Sequence, residues 1–458
     1  MDKTQRIELL RSGDIGTALR TLTVPAATAM MVNAIYNVVD TAFIGMLNDT
    51  AAIGAAAILF PIFMLIGAIG LTFGMGAASL ISRQLGEQNI EGAIRTASTA
   101  FYSTLIIGIT FAVFGNIYIK NILVLFGATD TILDRAVLYG RIIIGGSFFQ
   151  ILNMCINNLL RAEGAARYSS IALITGGVLN IIFDPIFMFV LDFDLAGAAM
   201  ATITAQAVST LYLLYYFLSD KGVLKIRLQD FFPRLGLYKD IMTVGLPTFY
   251  RQVLTSIAMG MFNNAAAAYG DPAVAAIGIV MRVVSLLMMA IFGIGQGLQP
   301  LAGYNFGARQ FSRVIDATKK ALTWSTVFAA CMAAIFFVFA RGIVLAFSQD
   351  PEVVSLGVRA FRFLSSTMVF VGSQVIFSTL FQALGKGRQA GVLAVARQGI
   401  FFIPLILVLP RLWGVNGVFL AQPMADLLAF IVTAVLAAVG MRELTILRDA
   451  HEQQVKPD

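Results

Sequence analysis

Residues 22–46 read LTVPAATAMMVNAIYNVVDTAFIGM, a stretch in which Asp40 is the only charge. It exceeds the roughly 20 residues a helix needs to cross the hydrocarbon of a bilayer, so it is predicted to span a membrane. A carboxyl placed there is costly and is expected to have a function. Residues 169–191 repeat the pattern, with Asp184 as their only charge.

Working outward, the whole chain has this character. Its 458 residues are 58% hydrophobic and 12% charged, with a mean hydropathy of +0.83. No soluble globular domain of this length has such a composition. Twelve apolar runs are legible, at 20–45, 52–78, 96–118, 136–158, 168–191, 195–218, 241–267, 274–298, 318–340, 358–382, 391–410 and 415–440. With the N-terminus placed inside, the loops on that side hold 23 Lys and Arg, including Lys386, Arg388 and Arg397, against 7 on the other side. Short loops that keep basic residues stay cytoplasmic, so both termini are expected there, in a multi-pass plasma (inner) membrane protein. Arg251 and Arg282 fall inside helices, close enough to their ends to be read as snorkelling to the interface. The net charge of +7 is accounted for by basic loops at an anionic leaflet of membrane lipids and calls for no nucleic acid.

The charged N-terminal segment from Asp2 to Arg11 precedes any apolar run, and no removable signal peptide is expected. Cys155 and Cys331 lie in separate halves and are read as small apolar fillers. His451, the only histidine, lies in the polar tail, which removes histidine-based metal sites and general bases. Gly293-Ile-Gly295-Gln-Gly297 follows no strand and lies in an apolar run, so it is read as a helix-packing motif rather than a nucleotide loop.

The chain is also written twice. Pro25 matches Pro247, Leu85–Gly86 matches Phe306–Gly307, Arg161-Ala-Glu-Gly164 with Arg167 matches Gln382-Ala-Leu-Gly385 with Arg388, and Gly197 matches Gly417. The spacing stays between 220 and 222 residues throughout, which marks a duplicated helix bundle. The expected fold is therefore an all-α membrane protein of 12 transmembrane helices in two pseudo-symmetric six-helix bundles. The first lobe is placed at 1–218, a cytoplasmic linker at 219–240 and the second lobe at 241–458. Phe262 and Ile403 stand where symmetry would repeat Asp40 and Asp184, so the acids belong to the first lobe.

Asn33, Tyr36, Asn37 and Asp40 recur at i, i+3, i+4 and i+7 and share one helix face, as do Asn180 and Asp184. Pro185 follows directly and removes a helix hydrogen bond. At 1.5 Å per residue, Asp40, Asp184 and Thr202 all lie about 10 Å inside the same boundary, where their oxygens can converge on one ion. Two chemistries remain open: a carboxyl pair that exchanges a proton, since burial and a neighbouring carboxylate both favour the neutral form, or a hard-oxygen site for Na⁺ at Asp40, Asn180, Asp184 and Thr202. Asp426, in the last helix, is read either as a packing partner of Gln422 or as a transport residue. The second half instead offers Met259, Met261, Met281, Met288 and Met289 with Phe249, Tyr250, Phe262 and Phe292, soft groups suited to varied apolar ligands.

Pro25 with Tyr36-Asn-Val-Val-Asp40-Thr-Ala-Phe-Ile-Gly45, Ser82-Arg-Gln-Leu-Gly86, Arg161-Ala-Glu-Gly164 and Leu179-Asn-Ile-Ile-Phe-Asp-Pro185 together resemble the multidrug and toxic compound extrusion (MATE) transporters, in the DinF/MepA-like branch. The resemblance covers essentially the whole chain. It implies that Asp40, Asn180, Asp184 and Thr202 form the cation or proton site, that Tyr139 and Asn157 line the same cavity, and that Pro25 is a hinge. Unlike the NorM-type branch, the second lobe has no acids in its first and fourth helices, so ion coupling is not expected there.

The expected function is a cation-coupled (H⁺ or Na⁺) efflux antiporter for amphipathic, often cationic drugs, a monomer without cofactor and not an enzyme. A lipid or lipid-linked sugar flippase is the nearest alternative; it would line its cavity with several arginines, whereas only two basic residues are read here as membrane-buried. A membrane-embedded transferase would want a His or acid motif at the interface and a sizeable loop domain.

Overall fold

The structure is a computed structural model that describes residues 3–47, 49–219 and 221–455. Asp2 and Lys456 of the charge reading, and Asp220 of the linker, lie outside the described residues. All twelve apolar runs are helical. After a short α1 (Lys3–Arg11), the first half comprises α2 (Ile15–Met46), α3 (Thr50–Gly86), α4 (Ile90–Ile117), the short α5 (Ile119–Leu125), α6 (Asp130–Gly145), α7 (Ser147–Ala162), α8 (Ala166–Pro185) and α9 (Asp194–Leu218). The second comprises α10 (Leu235–Ala267), α11 (Asp271–Gly307), α12 (Phe311–Leu345), α13 (Pro351–Ala383), α14 (Gly387–Val395), α15 (Ile403–Trp413) and α16 (Val415–Val455).

Among the described residues ten helices are long and apolar enough to cross a membrane, and an eleventh span is formed by α6 and α7 together. α10 has the length at 33 residues but carries Arg251, Gln252, Asn263 and Asn264, which lower its hydropathy. The run read as one helix over 136–158 is two segments bent by 43° at Gly145–Gly146. A glycine pair is a common site for such a kink, and a Cβ on Gly146 would fall 2.4 Å from the Ile203 side chain, which would have to move. α8 ends at Pro185 and continues as a π-helical turn, Ile186–Val190; a second π-helical stretch, Ala396–Phe402, joins α14 to α15.

The backbone repeats as the sequence does. Gln88 and Arg309 both take φ near +60°, and Gly164 and Gly385 take +79° and +74° in the loops after α7 and α13. The first spanning helix of each half packs on the second of the other: α2 against α11, and α10 against α3. Glycines allow the close approach. A Cβ on Gly293 or Gly297 would fall within 2.5 Å of Ala27 or Thr23, and one on Gly76 or Gly245 would meet the carbonyl oxygen of Ile241 or Thr72. The Gly293–Gly297 motif is thus a helix-crossing surface.

These contacts lie on the side that carries both termini, and the apolar core is divided accordingly. One cluster there draws on both halves, from Leu19, Ile81 and Leu159 to Leu298 and Phe381. Toward the opposite face the core separates into a cluster within 44–199 and another within 258–425. The two six-helix lobes therefore join at the termini side and part toward the other.

α1 clasps that joint. Arg6 Nη1 donates to Tyr216 Oη at 2.5 Å, and Tyr216 Oη donates to Glu163. Glu163 Oε2 also accepts the Val223 and Leu224 N–H groups of the linker at 2.9 Å each. From the other lobe, Asn305 Nδ2 donates to Leu10 O at 3.0 Å and Arg313 Nη2 to Gly13 O at 2.8 Å. Burial pushes the Glu163 carboxyl up from its usual range, against those hydrogen bonds. Glu163→Ala would strand two backbone donors and a phenol, at about 1–3 kcal/mol each. A clear drop in detergent-solubilised thermal stability is expected, with Glu163→Gln in between; an unchanged melting curve for Glu163→Ala would contradict this account.

Candidate functional site

Asp184 is fully buried, and Asn180 and Thr202 are 2% and 7% exposed. One turn before Asp184 on the same face of α8, Asn180 directs its Nδ2 to Asp184 Oδ1 at 3.4 Å and to Thr202 Oγ1 of α9 at 3.2 Å. Asp40 arrives from α2, near enough to Asp184 for the two carboxyls to interact electrostatically. α2 can lie this close because α8 presents Gly177, whose missing Cβ leaves room for Tyr36 and Val32; Gly176 does the same for Ser209 of α9.

The electrostatics of the cluster are set by what is unpaired. Asp40 Oδ1, Asp184 Oδ2 and Asn180 Oδ1 are buried oxygens without a hydrogen-bond partner. Buried acceptors are normally satisfied, and leaving one unmade is expensive. Three such acceptors, from two carboxyls and an amide, belong to one cluster and leave it short of donors. No cluster of three or more His, Cys, Asp or Glu suited to a transition metal occurs among the described residues.

The remaining sequence candidates separate. Tyr36 is buried and lines, with Asn33, a polar cavity beside Asn180 and Thr202. Tyr139 of α6 lies within electrostatic reach of Asp40, Asp184 and Tyr36. Asn37 is exposed and turns back on its own helix to Asn33 O at 2.7 Å. Asn157 does not line this cavity: it donates to Asn153 Oδ1 at 2.8 Å and accepts from Ser169 Oγ at 2.7 Å. Asn153 takes its place, donating to Ser209 Oγ at 2.8 Å. Asn153, Gln206 and Ser209 are the polar lining residues that the sequence does not single out. Gln206 and Ser209 follow Thr202 at i+4 and i+7, the same one-face rule that singled out the α2 stripe. Pro25 sits within the unbroken helix α2.

The second lobe has nothing comparable at the related positions. Phe262, which stands where Asp40 would recur, is buried against Phe402 with ring centroids 5.8 Å apart; of the residues read as soft lining, it is therefore core. Asp426 lies apart from the first-lobe acids and accepts from Gln422 Nε2 at 2.8 Å and from Arg397 Nε at 2.7 Å. Arg397, read from sequence as a loop residue, lies in the π-helical stretch within a membrane span; without it the basic asymmetry of the loops persists. Arg251 and Arg282 are likewise not at helix ends. Arg251 is the midpoint of α10, and Arg282 lies 11 residues inside α11.

The sequence profile of the MatE family matches residues 25–186 and, separately, 247–408, the two stretches beginning at the paired prolines. The multidrug export protein MepA of Staphylococcus haemolyticus (strain JCSC1435) is 30% identical over 417 residues, 91% of this chain and 92% of that protein. A solved MATE in complex with MaL6 superposes with a TM-score of 0.91 at 27% identity, over 96% of this chain and 99% of the other. So does the outward-facing conformation of a multidrug resistance MATE family transporter of the MOP superfamily, with a TM-score of 0.91 at 27% identity over 96% and 98%.

Proposed function

Because the chain belongs to the MatE family of multidrug and toxic compound extrusion transporters, we propose that it is an ion-coupled antiporter exporting amphipathic drugs, with the coupling ion carried in the first lobe. The observation that supports this most is the set of three unpartnered buried oxygens on Asp40, Asn180 and Asp184. Thr202 Oγ1 completes the set, Tyr36 and Tyr139 wall it, and Asn33 opens it to the neighbouring cavity. As a proton site the carboxyl pair shares one hydrogen; as a Na⁺ site the oxygens supply hard ligands.

The lobes are taken as 1–218 and 241–458, joined by 219–240. On the loop-charge argument the termini face the cytoplasm, so the sealed joint is cytoplasmic and the divided core faces outward. Transport then alternates by rocking one lobe on the other, with Pro25 letting α2 bend as the acid pair fills and empties. A filled pair, its charge halved, attracts a cationic drug less than an emptied pair does; the emptied pair draws one in, and the returning ion displaces it. The single chain works as a monomer among membrane lipids.

The test is export of a fluorescent cationic dye by purified protein in liposomes, driven first by a Na⁺ gradient alone and then by a pH gradient alone. One of the two is expected to drive dye movement and so to name the ion. Dye movement under neither would refute ion coupling.

A further inference from the structure

The second lobe carries a positive charge with no carboxylate partner at the midpoint of its first long helix. Arg251 lies 16 residues from either end of α10, about 24 Å along the helix, while half the hydrocarbon is only about 15 Å thick. It is half-buried, and its guanidinium lies over the Phe292 ring of α11 at 5.4 Å. Its charged neighbour is Arg397, a like charge. Arg397 is matched by Asp426, with Nε to Oδ1 at 2.7 Å, and Gln422 and Gln374 hold Asp426 by side chain and backbone. Among the described residues no carboxylate is left for Arg251. An arginine half-buried in a helix bundle within electrostatic reach of another arginine, with one acid for the two, is a costly arrangement unless an anion completes it. Arginine is also the side chain best suited to grip a planar oxyanion by paired N–H donors.

We propose that Arg251, with Arg397 beside it and the Phe292 face beneath, is a binding site for the oxyanion of an amphipathic substrate, whose apolar body lies on the aromatic and methionine surface of the second lobe. The site deepens the export reading and rests on it: the first lobe holds the ion, and the second selects cargo bearing a carboxylate, sulfonate or phosphate, zwitterions included. The first lobe thus carries buried acids and the second half-buried arginines, a pairing that suits a substrate cationic at one end and anionic at the other. Three arginines inside the spans, rather than two near their ends, give the second lobe this character.

The experiment compares 1-pyrenebutyrate with its methyl ester, binding to purified protein in phosphatidylcholine nanodiscs. The acid is expected to bind at least tenfold more tightly than the ester, and Arg251→Gln to erase the difference. Since a damaged protein would also lose binding, Asp426→Asn supplies a gain: it releases Arg397 from its acid and is expected to tighten the acid severalfold without affecting the ester. Equal affinity of the wild type for acid and ester, or no gain in Asp426→Asn, would overturn the proposal. Repeating the titration in phosphatidylglycerol nanodiscs separates sources of the oxyanion: unchanged affinity assigns the site to a soluble amphipath, whereas competition that Arg251→Gln abolishes assigns it to an anionic lipid headgroup. The same wild-type protein must drive a cationic dye under an ion gradient. Failure there sinks the export reading, whereas dye export without acid preference sinks only the oxyanion site.

Discussion

Asp40→Asn and Asp184→Asn, singly or together, are expected to collapse ion-driven drug accumulation to the level of passive equilibration. The magnitude follows from the driving force: an ion gradient worth about 2.3 kcal/mol per ion exchanged sustains a drug concentration ratio of roughly fiftyfold. An amide has the shape of the acid but neither gives up a proton nor lends charge to Na⁺, so the ratio falls toward one. The shape also protects the fold, because the Asn180 contact at 3.4 Å to Asp184 Oδ1 can be kept by an amide oxygen. Asn at both positions with an undiminished gradient in proteoliposomes would exclude the pair from coupling. Thr202→Val distinguishes the ions. A Na⁺ site loses an oxygen ligand, and its half-saturating Na⁺ is expected to rise about tenfold, on the scale of a hydrogen bond to a charged group; a proton site keeps its pH profile.

What was legible in the sequence is what depends on long runs and fixed periods. Apolar runs and the 220–222 residue repeat gave the helices and the two lobes, and depth counting from run ends brought Asp184 to Thr202, which Asn180 bridges. Side chains that break no run were invisible. Ser209 and Gln206 differ too little from their neighbours to stand out, although they continue the face of Thr202. Arg397 reads as a loop residue because it lies nine positions after Arg388 and basic residues near a run's edge read as loop; only Asp426, 29 positions later, explains how it is held inside the helix bundle. Glu163 stands in a repeated motif, but its role depends on linker N–H groups some 60 residues away, which no local pattern encodes. Its counterpart in the second half is Leu384, so the clasp, like the acid pair Asp40 and Asp184, marks where duplicated halves diverged.

The other large effect is expected at the crossing of α3 and α11. A Cβ on Gly86 would fall 2.0 Å from Tyr304 O, and one on Gly307 would fall 2.1 Å from Arg83 O. Both obstacles are backbone oxygens of rigid helices, which cannot rotate aside as a side chain would. Overpacking a core costs about 1–3 kcal/mol per site, and here the strain falls only on the state in which the lobes meet. Two such sites at about 2 kcal/mol each shift a two-state equilibrium by roughly a thousandfold. Gly86→Ala with Gly307→Ala is therefore expected to drive the lobes apart on the termini side, read as a lengthened distance between spin labels on the loops at Gln88 and Arg309, with loss of transport. Gly260→Ala and Gly278→Ala are the matched controls, since nothing lies within 4 Å of either new Cβ and both sit inside helices that alanine favours. They are expected to leave the distance and the activity as they were. If the double variant keeps the short distance, the crossing tolerates methyl groups and the closed state does not depend on these glycines.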